Sequence, residues 1–180
     1  MFAALHRLFL RSLISTRPSH HAGRLPHAHA MGQMRFIVRT RLIMKWVVLL
    51  GRLFFAAIFL LAAPEHFTSN TVHYAAAHGV PLAKIAVPLS GVIALAGAAS
   101  IALGLRAKIG AWLLVLFLVP VTLMMHNFWA DKNAQMAMVQ QIMFMKNLSM
   151  LGGALMIAYF GSGPLSVDNL LKKRPAAKAS

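Results

Sequence analysis

The stretch WVVLLGRLFFAAIFLLAA, residues 46–63, runs for eighteen residues with a single charge, Arg52. An α-helix needs about 20 apolar residues to cross the hydrocarbon layer of a bilayer, with roughly 17–25 tolerated. Three further runs fit the same rule. Residues 82–103 carry one charge at their start, Lys84; residues 109–125 carry none; residues 142–160 carry one, Lys146. None alternates polar and apolar residues, as the roughly ten-residue strands of a membrane barrel would. Backbone polar groups in hydrocarbon must satisfy one another, and this enforces helix. The fold class read from these runs is all-α: a transmembrane four-helix bundle.

Composition agrees. The chain has 180 residues, 59% of them apolar and 12% charged, against about 25% charged in an ordinary soluble domain. The formal net charge is +15, and it is unevenly placed. Residues 1–43 hold seven Arg, five His and no acid; residues 172–180 hold Lys172, Lys173, Arg174 and Lys178. The block between carries seven bases and all three acids, Glu65, Asp131 and Asp168. A nucleic-acid domain would spread its bases over a folded face among polar and aromatic readers. Basic ends flanking apolar runs instead mark a membrane protein, with the lipid bilayer as partner and no nucleic acid. With no cysteine in the chain, disulfides, thiolate nucleophiles and Cys-held metals are excluded.

The connections set topology. Pro64 ends the first run, Ser69 or Asn70 can cap a short helix over 71–78, and residues 104–108 form a tight basic turn. Residues 133–141 read as a helical lead into the fourth span, 161–164 as its end, and Pro88 and Pro120 as kinks. The N-terminal segment, the 104–108 turn and the tail over 169–180 are basic and fall on one side of an even number of spans. The positive-inside rule makes that side, and both termini, cytoplasmic. The membrane domain is thus 44–168. For the arm over 1–43 three readings stand: a transit-type segment, a surface-lying amphipathic helix, and an untranslated or disordered leader with the true start at Met31, Met34 or Met44.

Charges at membrane depth need a reason, since one at a span centre costs about 2.5–3.5 kcal/mol on insertion scales. Arg52 lies in the inner half of the first span, where it can snorkel to headgroups or contact an anionic group. On the outer side, span order brings several polar residues to one depth: Glu65 and His66 from the first span, His126 and Asn127 from the third, Lys146 and Asn147 from the fourth. Such a cluster can be a packing network, with Glu65 and Lys146 as an ion pair. It can equally be a proton-handling or quinone-headgroup site, His66 or His126 supplying hydrogen bonds and protons near neutral pH. No catalytic residue is identified, and no metal site is expected. The methionines between Met136 and Met150 read as packing filler rather than Cu(I) ligands. Small residues at i+4, Ala94, Ala98 and Ala102 in the second span, Ser149 with Gly153 and Ala154 with Ala158 in the fourth, mark helix contacts within the bundle or a homo-oligomer seam.

Several segments taken in order carry a family likeness. They are Gly51-Arg52-Leu53-Phe54 with His66-Phe67, His78-Gly79-Val80-Pro81, Val87-Pro88-Leu89-Ser90-Gly91, the 104–110 turn, His126-Asn127-Phe128-Trp129, Phe144-Met145-Lys146-Asn147-Leu148 and the 161–166 segment. Across residues 45–168 the chain resembles the DoxX family of small bacterial membrane proteins. The resemblance implies a multi-pass inner-membrane protein, a membrane component of a quinone-linked oxidoreductase system with a membrane or periplasmic oxidoreductase partner. The alternatives are a non-catalytic scaffold or subunit of a larger complex, and a small-solute permease.

Overall fold

The computed structural model describes residues 27–173. Among them are six helices and no strand: α1 (His27–Ala62), α2 (Ser69–Ala77), α3 (Ala83–Leu103), α4 (Ala107–Met125), α5 (Ala134–Phe160) and α6 (Val167–Lys173). Two short 3₁₀ turns, Ala63–Phe67 and Phe128–Ala130, follow α1 and α4. Four segments are long and apolar enough to cross a membrane: Met34–Phe67, Ala83–Leu103, Ala107–Ala130 and Ala134–Phe160. The all-α, four-span architecture read from the sequence is the one observed.

Residues up to Arg39 form one compact unit and residues from Thr40 the other. In the first, the described residues are helical, starting at His27. Of the arm over 1–43, residues 27–43 are thus helical. Residues 27–43 contain no proline, and a helix, once nucleated, extends along its neighbours at little cost. The readings that concern residues 1–26 and 174–180 lie outside the described residues.

In the second unit, α3 and α4 cross closely at two glycines. A Cβ on Gly97 would lie 2.8 Å from the Gly110 carbonyl oxygen, and one on Gly110 2.7 Å from that of Gly97. Only glycine permits this approach, which is how apolar helices gain contact where no hydrophobic effect drives them together. The core around it is small and aliphatic: Ala94, Ala98 and Ile101 of α3, Ala107, Ala111, Leu114 and Leu118 of α4, and Ala154 of α5. α1 reaches this core with larger side chains. Phe59 meets Phe117 edge-on at 6.2 Å between ring centroids, and Phe55 fills the space that Gly153 leaves, where a Cβ would sit 2.8 Å from its ring. Of the expected small-residue rows, Ala94, Ala98 and Ala154 are buried, while Ser149 is exposed.

The turns follow from local chemistry. α3 ends at Gly104 (φ +67°), whose N–H donates to the Ile101 carbonyl while that of Leu105 donates to Ser100. Glycine takes this left-handed position without the clash that a Cβ brings. Thr68, one residue before the expected caps Ser69 and Asn70, starts α2 by accepting from the Thr71 N–H at 3.3 Å. Asn133 starts α5 by accepting from the N–H groups of Gln135 and Met136 at 2.9 and 3.1 Å.

Candidate functional site

Polar groups gather at both ends of the bundle. At the outer end they form a short neutral chain. His126, just past α4, donates from Nδ1 to Gln140 Oε1 at 2.8 Å, and Gln140 Nε2 donates to Tyr74 Oη at 3.1 Å. Three separate elements are thereby joined: the end of α4, α5 and α2. The Tyr74 ring rests on His78 at 4.1 Å, and the His78 Nδ1 donates to the Tyr74 carbonyl. Gln140 is buried, as are Asn147 and Ala154, each seven residues further along α5. That heptad line is the face α5 turns to the bundle.

The six residues singled out on this side separate into two groups. His66 is half-buried, its ring 5.4 Å from Phe117, and its Nδ1 is buried without a hydrogen-bond partner. Asn147 is 4% exposed, and His126 and Asn127 are half-buried, the Asn127 carbonyl accepting from the Ala130 N–H. Glu65 and Lys146 are instead both exposed. Among the described residues they form no ion pair, and the Lys146 ammonium has only the Met143 thioether, at 3.2 Å. The expected Glu65–Lys146 pair is therefore corrected. Successive helix residues point about 100° apart; with Asn147 turned inward, Lys146 is turned out. Gln140 and Tyr74 escaped the sequence reading. Gln140 carried a usable signal, its spacing of seven from Asn147.

At the inner end, Arg52 turns into the protein rather than out to the headgroups. It is 4% exposed, and its two terminal nitrogens donate to the main-chain carbonyls of Ser162 and Leu165. Gly104 lies directly against the guanidinium, leaving no room for a Cβ. The segment that receives Arg52 is itself tied down. Ser162 Oγ donates to Asp168 Oδ2 at 2.6 Å, both Asp168 oxygens accept from the Arg106 N–H at 3.0 Å, and the Asp168 N–H donates to the Gly104 carbonyl at 3.1 Å. The Ser162 hydroxyl and then the Arg106 N–H hold the Asp168 carboxyl below the usual carboxylate range, helped by the charges of Lys172 and Arg106. Arg106 sits in the left-handed region (φ 49°), unfavourable for a residue with a Cβ, and the carboxylate clamp offsets that cost. Asp168 and Ser162 were not foreseen as partners of the first span.

Chemically, the inner end is a lock whose hydrogen-bonding capacity is nearly used up. Among the described residues one buried nitrogen at each end makes no hydrogen bond, Arg52 Nε at the inner end and His66 Nδ1 at the outer. No three His, Cys, Asp or Glu side chains among the described residues are grouped to hold a metal ion.

Comparison with known proteins places the chain among membrane proteins. The SURF4 family matches over residues 82–174. The curated "Inner membrane protein YqjF" of Escherichia coli (strain K12) is 30% identical over 129 residues, covering 71% of this chain and 93% of that protein. The "Inner membrane protein YphA" of the same organism is 29% identical over 99 residues, covering 55% of this chain and 70% of that protein. No solved structure matches. These matches overturn the DoxX resemblance: the family whose pattern fits, over three of the four spans, is a different one.

Proposed function

Since the chain belongs to the SURF4 family and is a multi-pass inner-membrane protein, we infer that it works as a non-catalytic membrane subunit, packing α5 against another membrane protein. The carrying observation is Lys146. It stands about one turn inside the apolar run 142–160, on the exposed face of α5, with a thioether as its only hydrogen-bond acceptor among the described residues. A thioether is a weak acceptor for an ammonium group. A charge in that position is costly when it faces lipid alone, and a partner helix presenting an acid or a carbonyl at that depth relieves the cost. The same face carries Ser149 and Gly152, the latter with open space where a Cβ would stand, so a second helix can approach closely.

Because the chain has no cysteine, a single Met145→Cys substitution gives a unique cross-linking handle on this face. In native membranes it should yield one discrete higher-mass protein adduct, lost on adding Lys146→Met while folded yield stays unchanged. Labelling by lipid alone would contradict the reading.

A second reading is favoured by His66. Its ring lies beside Phe117 with the Ala62 and Ala63 carbonyls near it, and its buried Nδ1 makes no well-formed hydrogen bond, so it offers one to a polar-headed apolar ligand, as the quinone-linked oxidoreductase reading requires. Quinone co-extracted with the wild type and absent from His66→Phe would support it.

A further inference from the structure

A cavity of about 480 Å³ opens at the inner end, between the start of α4, the end of α5 and α6. Its size falls in the roughly 300–1,000 Å³ range of ligand clefts. Arg106, Lys108 and Lys172 line it, with Asp168 as the one acid. That carboxylate is already engaged by Ser162 and the Arg106 N–H, so the cavity keeps an excess of positive charge. Lys108 is exposed at its mouth. Its stem packs over Gly161, where a Cβ would come within 3.2 Å of Cε. The rim is apolar: Ile109 and Phe160, the latter 74% exposed, lie at the ends of their spans. A cationic hollow with apolar walls at the membrane boundary matches a group that is anionic at one end and hydrocarbon at the other. Basic pockets between spans on the cytoplasmic side suit lipid phosphates in this way.

We propose that this cavity seats the phosphate of an anionic phospholipid from the inner leaflet. The phosphate oxygens take Lys108, Lys172 and Arg106, and the acyl chains run along Ile109 and Phe160. The site is independent of the α5 docking face: it uses other residues at the opposite end of the bundle.

The test uses the full chain in zwitterionic detergent–lipid micelles, with native mass spectrometry counting retained lipid. Phosphatidylglycerol and phosphatidylcholine are offered as matched probes, and inorganic phosphate as a competitor. The wild type should retain one phosphatidylglycerol in preference to phosphatidylcholine. Lys108→Gln with Lys172→Gln should weaken that retention about thirtyfold, given that each base near an anionic headgroup contributes on the order of 1 kcal/mol. Lys84→Gln with Lys132→Gln, at the other end of the bundle, should leave it unchanged. Failure of millimolar phosphate to displace the lipid assigns the site to the headgroup. Displacement by phosphate with equal potency would overturn the lipid assignment in favour of a free anion. Equal retention of the two lipids, or equal loss in both double variants, would also overturn the proposal. Thermal melting of each variant, read alongside, separates lost binding from lost folding.

Discussion

The two ends of the bundle spend their polar groups differently. At the inner end a buried cation from the first span is bonded to carbonyls more than a hundred residues away, and an acid from the chain's last described helix clamps the turn between α3 and α4. At the outer end a neutral chain of His126, Gln140 and Tyr74 joins three elements, while Glu65 and Lys146 stand exposed there and form no ion pair with each other. A charged group buried among carbonyls is costly to disturb, because its loss strands every partner. A neutral chain is cheaper to break, and charges left on the surface remain open to other molecules. The inner end therefore reads as the lock of the fold and the outer end as its adaptable side.

Breaking the lock should have the largest effect. Arg52→Met removes both hydrogen bonds from a charged donor and leaves the Ser162 and Leu165 carbonyls without it, a cost of about 3 kcal/mol. Thermal unfolding in mild detergent should show this as a clear loss of melting temperature. Next comes Gly104→Ala, which adds a Cβ at a positive φ and against the Arg52 guanidinium. The left-handed backbone alone accounts for about 1–2 kcal/mol, and the same melting experiment reads it. Gln140→Leu, at the outer end, should cost less, about 1 kcal/mol. Side-chain hydrogen bonds between membrane helices average about 0.6 kcal/mol, and two are lost here. If Gln140→Leu proved as damaging as Arg52→Met, the contrast between the ends would collapse.

The smallest effect at neutral pH, and the one that most sharpens the contrast, is titration of Asp168. Its folded-state pKa lies below the unfolded value, which is about 3.9 for an aspartate. Its contribution is therefore fully present above that value. It is lost as the pH falls through the lower folded value. Melting temperature followed from pH 6 downward should drop on the acid side in the wild type. Asp168→Asn should flatten that limb, and Gln140→Leu should leave it in place.

The four spans were legible because hydrocarbon imposes length and apolarity directly on sequence. Arg52 stood out for the same reason, as a charge where charges are costly. Its partners were not legible. Ser162 and Leu165 offer main-chain carbonyls, which carry no residue-specific mark, and they meet Arg52 only after four spans have folded back. Span order did give the depth of Glu65 and Lys146, but not the rotation of each helix about its axis. That rotation turns Asn147 inward and Lys146 outward. The burial of Gln140, Asn147 and Ala154 at intervals of seven shows where the missing information lay. Reading α5 for its buried stripe would have fixed its rotation and replaced the ion pair with the neutral chain. The family assignment failed differently: short segments in the right order gave a resemblance, and matching over residues 82–174 corrected it.

Hydrogen exchange of the backbone over residues 161–170 tests the central claim most directly. There the Asp168 N–H is held by Gly104 and those of Asn169 and Leu170 by Ser166. Arg52→Met should accelerate exchange across this segment by about an order of magnitude or more, while Gln140→Leu leaves it at the wild-type rate. Unchanged exchange in Arg52→Met, or equal acceleration in both variants, would contradict the account of the inner end as a lock joining the first span to the end of the chain.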